Sequence, residues 1–142
     1  MTSKINALQR AAGITLIIGN GFGLIFWAVF LVDIFVFNRG YSSGKEWMTS
    51  LPYVIPAVGG LAGTLIGFAT GILSTAMRQA SRAPFVLALI AAFLTLCGNA
   101  LLFEIYWAVY GILTLLLTFI TPVFYLISCL AANHKIKRTS LI

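Results

Sequence analysis

The sequence predicts an all-α integral membrane protein, a compact four-helix transmembrane bundle with both termini on the cytoplasmic side. Three observations predict it. Hydrophobic residues make up 61% of 142 positions and charged ones only 8%, against ~45–50% and ~25% in ordinary soluble domains. Long apolar runs alternate with short polar breaks, and the basic residues gather on one side of those runs. A water-soluble globule this small cannot hide so much apolar surface, and a disordered chain would not carry it. Residues 1–142 therefore read as one transmembrane domain.

The first run, Ala11 to Phe37, contains a single ionisable residue, Asp33, and predicts a helix over about 12–36. Lys4 and Arg10 precede it as they would a signal peptide. The run is longer than a secretory h-region of ~7–15 residues and no small-x-small site closes it, so a retained signal anchor is expected. Residues 38–50, with Arg39, Lys45 and Glu46, form the outer loop.

The second helix is expected over about 51–77. Thr49-Ser50 supplies its cap, and Pro52 falls in the first turn, where a missing N–H costs nothing. A basic turn follows, Arg78 to Arg82 (RQASR). The last apolar run, Pro84 to Cys129, is interrupted by one charge, Glu104. As a single helix it would measure about 69 Å at ~1.5 Å per residue, more than twice the ~30 Å hydrocarbon core. It must fold back, and Glu104 with the amphipathic Tyr106-Trp107 pair marks the turn. Two helices result, about 84–103 and 106–130. Ser81 and Pro84 open the former, and Thr121-Pro122 predicts a mild kink in the latter, its freed carbonyl covered by neighbours. Strands of a barrel would alternate apolar and polar residues, which these runs do not.

Orientation follows from Lys and Arg. With the N-terminus inside, Lys4, Arg10, Arg78, Arg82, Lys135, Lys137 and Arg138 are cytoplasmic, and only Arg39 and Lys45 are outside. The net charge of +6 is thus spread over three membrane-flanking segments, which fits anionic lipid headgroups and not nucleic acid. The sequence has no Asn-x-Ser/Thr sequon and no organellar targeting pattern, which points to a bacterial cytoplasmic membrane. Tyr41, Trp47, Tyr53, Tyr106 and Trp107 all fall at the outer boundary, as an interfacial aromatic belt would.

Packing is written in the small residues. Gly59, Gly63, Gly67 and Gly71 recur every four positions in the second helix, a glycine zipper along one slowly drifting side. Such rows let a second backbone approach closely, the main route to helix association in lipid. Both a helix of the same chain and another copy fit as the partner, the intrachain contact being the commoner arrangement. Gly19 and Gly23 flank Asn20 in the first helix. At ~1.5 Å per residue, Asn20 lies about 15 Å from the inner surface and Gly63 about 18 Å from the outer one. Helices 1 and 2 are therefore expected to meet at mid-membrane, the Asn20 amide bonding Thr64 or a backbone carbonyl.

Candidates for chemistry are few. The three acids, Asp33, Glu46 and Glu104, all belong to the outer boundary. Asp33, Arg39, Lys45 and Glu104 make a possible outer polar cluster, read first as ion pairing and second as an outer cation site. Asn99 is expected to bond across to helix 4 or to a partner. Cys97 and Cys129 are too far apart in this threading for a disulfide and form no C-x-x-C. His134 is the one histidine, so a bis-His haem site is excluded within the chain. No cofactor, metal site, catalytic set or nucleotide loop is expected, and hence no enzyme. In size and topology the chain is similar to the small multidrug-resistance exporters. Those carry a glutamate within the first helix where this chain has Asn20, so the likeness covers no motif. The expected function is that of an accessory, assembly or stabilising subunit of a larger membrane complex. A small transporter or channel-forming homo-oligomer is the alternative. The expected partners are the lipid bilayer and another integral membrane protein, or a second copy of the chain.

Overall fold

The computed structural model describes residues 7–35, 51–77, 82–106 and 112–139, with side chains described for 7–32, 54–77, 82–100 and 112–134. The described residues are helical throughout apart from Met77. Helix α1 is Ala7–Phe35, α2 is Leu51–Ala76 and α3 is Arg82–Tyr106. A fourth span, Ile112–His134, contains a π-helical turn, Leu115–Ile120, that runs directly into α4, Thr121–Thr139. All four spans are long and apolar enough to cross a membrane.

Several boundaries differ from those the hydropathy implied. Helix α1 begins at Ala7 and α4 continues to Thr139, beyond the apolar runs at both ends. No Gly or Pro interrupts Ala7–Ala12 or Leu130–Arg138, and these good helix formers carry the hydrogen-bond ladder past the hydrocarbon edge. Helix α3 likewise runs through Glu104 to Tyr106, so Glu104 is a helical residue and the reversal falls beyond it, outside the described residues.

Pro122 accompanies the wide turn in the fourth span. It has no N–H to donate and follows closely on that turn, the form that the expected disturbance at Thr121-Pro122 takes. The Thr121 hydroxyl donates to Leu117 O at 2.8 Å, the same bond to the carbonyl four residues back that Thr64, Thr70 and Thr118 make.

The helices pack as an up-down-up-down bundle. Along the α1/α2 contact, Gly13 meets Ser74, Ile17 meets Gly71, Asn20 meets Gly67 and Trp27 meets Gly60. Rising numbers on one helix against falling numbers on the other define an antiparallel pair. Gly63 beside Leu94, and Gly60 beside Gly98, give the same relation for α2 and α3. The fourth span closes the ring, through Gly19 against Leu117 and Thr121 and Asn99 against Thr118.

Burial is inverted relative to a soluble bundle. Ile14, Ile18, Phe22, Ile25 and Val29 form an exposed stripe on α1, and Leu89, Phe93 and Leu96 do so on α3. The interior instead holds Asn20, Thr64, Thr95, Asn99, Thr114 and Thr118, each at most 1% exposed. Water as solvent would penalise both choices; a bilayer rewards both, since lipid takes up the apolar faces while polar groups must find partners inside. A small apolar cluster of Ala12, Leu16, Ala88, Tyr125 and Cys129 closes one end.

Candidate functional site

The polar layer halfway along the bundle is the most distinctive interior feature. On α1, Asn20 sits two turns before Trp27, with Gly19 and Gly23 on the same side of the helix. Asn20 Nδ2 donates to its own-helix carbonyl Leu16 O at 3.1 Å and to Thr121 Oγ1 at 3.2 Å. On α3, Asn99 Nδ2 donates to Thr95 O at 2.8 Å and to Thr118 Oγ1 at 3.2 Å. Each receiving threonine passes its own proton back along its helix, Thr121 to Leu117 O and Thr118 to Thr114 O. Two parallel relays, amide to hydroxyl to carbonyl, therefore tie α3 to Thr118 within the π-helical turn and α1 to Thr121 directly after it.

Asn20 was expected to bond across to helix 2, but the carbonyl it meets is Leu16 O of its own helix and its side-chain partner is Thr121, not Thr64. The Thr64 hydroxyl donates instead to Gly60 O at 2.7 Å. The reason is steric. Asn20 lies flat against Gly67, where a Cβ would be 2.6 Å from Oδ1 and 2.9 Å from Nδ2, and its amide points past α2 to the fourth span.

The glycine row divides among several neighbours. Gly67 and Gly71 face α1; a Cβ on Gly71 would lie 2.8 Å from Gly13 O. Gly63 faces α3, 2.8 Å from the Thr95 nitrogen and 3.0 Å from Ala91 O. Gly59 faces neither, with nothing within 4 Å. On α1, a Cβ at Gly19 would meet Thr121 Cγ2 at 2.7 Å, and one at Gly23 would strike the Thr118 methyl.

Two close approaches escaped the sequence reading. Gly60 and Gly98 cross so tightly that a Cβ on Gly98 would be 2.6 Å from Gly60 Cα, and the Trp27 indole lies over both. Gly13 receives Ser74 Oγ, 2.8 Å from its would-be Cβ. The signal available for the first was the pairing of an isolated Gly98 with the doubled Gly59-Gly60. Trp27 is held edge-on between Phe26 and Phe30, with ring centroids 6.5 and 5.5 Å away.

Three buried polar atoms of this layer have no hydrogen-bond partner: Asn20 Oδ1, Asn99 Oδ1 and Trp27 Nε1. Asn20 Oδ1 lies on the bare Gly67 backbone, where a Cα–H donor offers weak compensation. Among the described residues no carboxylate, ammonium, guanidinium or imidazole is buried, and no three His, Cys, Asp or Glu side chains gather as a metal site would need. Cys97 is exposed, and Cys129 is buried, accepting from Gln9 Nε2 at 3.6 Å.

Of the outer polar cluster, Asp33 lies in α1 and Glu104 in α3, but their side chains, and all of Arg39 and Lys45, fall outside the described residues. So does the belt of Tyr41, Trp47, Tyr53, Tyr106 and Trp107 as side chains. Compared with known protein families, curated proteins and solved structures, the chain matches none.

Proposed function

We propose that this chain is a non-catalytic, multi-pass membrane protein acting as an accessory, assembly or stabilising subunit of a larger membrane complex. Gly59 carries the reading. It opens onto space on α2 beside the exposed Ile55 and Val58, leaving a notch of the kind that admits a second helix at close range. The interior asparagines, by contrast, spend their donors inside the chain. What this protein offers to others is its outer surface, and the bilayer or another integral membrane protein is the partner that surface suits.

Native mass spectrometry after a tagged pull-down in mild detergent tests the reading. A stoichiometric partner is expected, lost in Gly59→Leu while the chain itself stays folded. A lone monomer would overturn it.

The alternative is a small transporter or channel-forming homo-oligomer. The unpartnered Asn20 Oδ1, Asn99 Oδ1 and Trp27 Nε1 favour it, because a polar solute would find ready hydrogen-bonding groups there. Under that reading the same measurement returns a homo-oligomer, and solute flux in vesicles depends on Asn20.

The proposed setting is a bacterial cytoplasmic membrane with both termini inside. Seven Lys and Arg on that side against two outside support the orientation. Reporter fusions to each terminus, active only in the cytoplasm, check it.

A further inference from the structure

Between α3 and the fourth span the outer surface carries an open groove of about 660 Å³. Leu89, Phe93 and Leu96 form one wall, and Phe119, Val123 and Leu126 the other. Every lining residue is apolar, so the occupant must be hydrocarbon at this depth.

One end of the cleft is marked by charge. Arg82 opens α3 and is exposed. Arg82, Leu89 and Leu96 are spaced by seven residues and share one face of the helix. At ~1.5 Å per residue the cleft begins about 10 Å below Arg82 and ends about 21 Å below it. A guanidinium at headgroup level thus stands above a hydrocarbon slot that brackets the ~15 Å half-thickness of the hydrocarbon core, where the chains of one leaflet end. Across the cleft, Asn133 lies seven residues beyond Leu126 on the same face of the fourth span, and it too is exposed.

We propose that this cleft is a lipid site: one acyl chain of an anionic phospholipid lies between α3 and the fourth span, its phosphate resting on Arg82. The chain supplies shape complementarity and the guanidinium supplies headgroup selection, since its planar donors fit a phosphate in two-point fashion. The net charge of +6 favours an anionic headgroup over a zwitterionic one.

Native mass spectrometry of the intact protein, titrated with phosphatidylglycerol or phosphatidylcholine of identical chains, tests this. Phosphatidylglycerol should be retained about fivefold better, the value of one basic side chain at an anionic surface. Arg82→Gln should bring it down to the phosphatidylcholine level, and Val123→Trp should reduce both. In case the tryptophan variant does not fold, phosphatidylglycerol with a diazirine on its acyl chain is cross-linked to the unaltered protein. Adducts are expected within residues 89–96 and 119–126. Equal retention of the two lipids, no effect of Arg82→Gln, or adducts spread evenly over the outer faces of α1 and α2 would overturn the assignment.

Discussion

Asn20 and Thr121, separated by 101 positions in the chain, are joined by a buried hydrogen bond of 3.2 Å. Asn99 and Thr118 repeat the arrangement at the same length. The two threonines are three residues apart in the fourth span, and between them they receive the amides of α1 and α3. The bundle is therefore pinned at mid-height by neutral groups, whose desolvation in lipid is far less costly than that of charges.

The first prediction concerns the strength of that pin. A double-mutant cycle with Asn20→Ala and Thr121→Val should return a coupling of about 0.6 kcal/mol, and at most ~1.7 kcal/mol, as for other interhelical bonds in membranes. Unfolding of the four species in mixed micelles measures it. A coupling near zero would mean the bond is not formed in the folded protein.

The glycines of α2 should respond very differently to the same substitution. Gly67→Ala puts a methyl 2.6 Å from Asn20 Oδ1, and the amide is held by two bonds, so a loss of about 1–3 kcal/mol is expected from overpacking. Gly59→Ala meets nothing within 4 Å and should be neutral, or stabilising by up to ~1 kcal/mol through helix propensity. Gly63→Leu drives a long side chain into the α3 backbone and should sharply lower the folded yield in mild detergent. Equal responses at 59 and 67 would contradict the packing.

The cysteines supply a third check. Cys97 is exposed on α3 and Cys129 is buried against α1. In lipid vesicles a membrane-permeant maleimide should leave both cysteines of the folded protein largely unmodified, Cys97 because its exposed thiol lies within a membrane span, where little thiolate forms. It should add twice after denaturation in SDS. Rapid native labelling of Cys129 would show that the end of the bundle near Gln9 is open.

Much of this architecture was legible in the residues. Three apolar runs, the last long enough for two spans, required no knowledge of contacts to be read as four lipid-spanning helices. Hydropathy was less informative about helix ends, because it reports where the hydrocarbon stops and not where backbone bonding stops. That is why α1 starts at Ala7 and α4 reaches Thr139. Pro122 announced a disturbance, but its form, a π-helical turn over Leu115–Ile120, was not written in the local sequence.

The four-residue glycine spacing shows the divide most clearly. Four residues advance a helix by about 400°, so each glycine is turned ~40° from the one before. From Gly59 to Gly71 the row rotates by roughly a third of a circle, from open surface through α3 to α1. Local sequence was enough to place small residues where backbones come close and to identify a bilayer as the solvent, since both follow from composition and period. Which helix meets Gly63, why Asn20 reaches Thr121 in place of Thr64, and where Gly60 and Gly98 cross under Trp27 were settled only in three dimensions. Lipid supplies almost no hydrophobic drive between helices, so partners are chosen by side-chain fit and by the few polar groups that must be satisfied, and neither is encoded in any single segment.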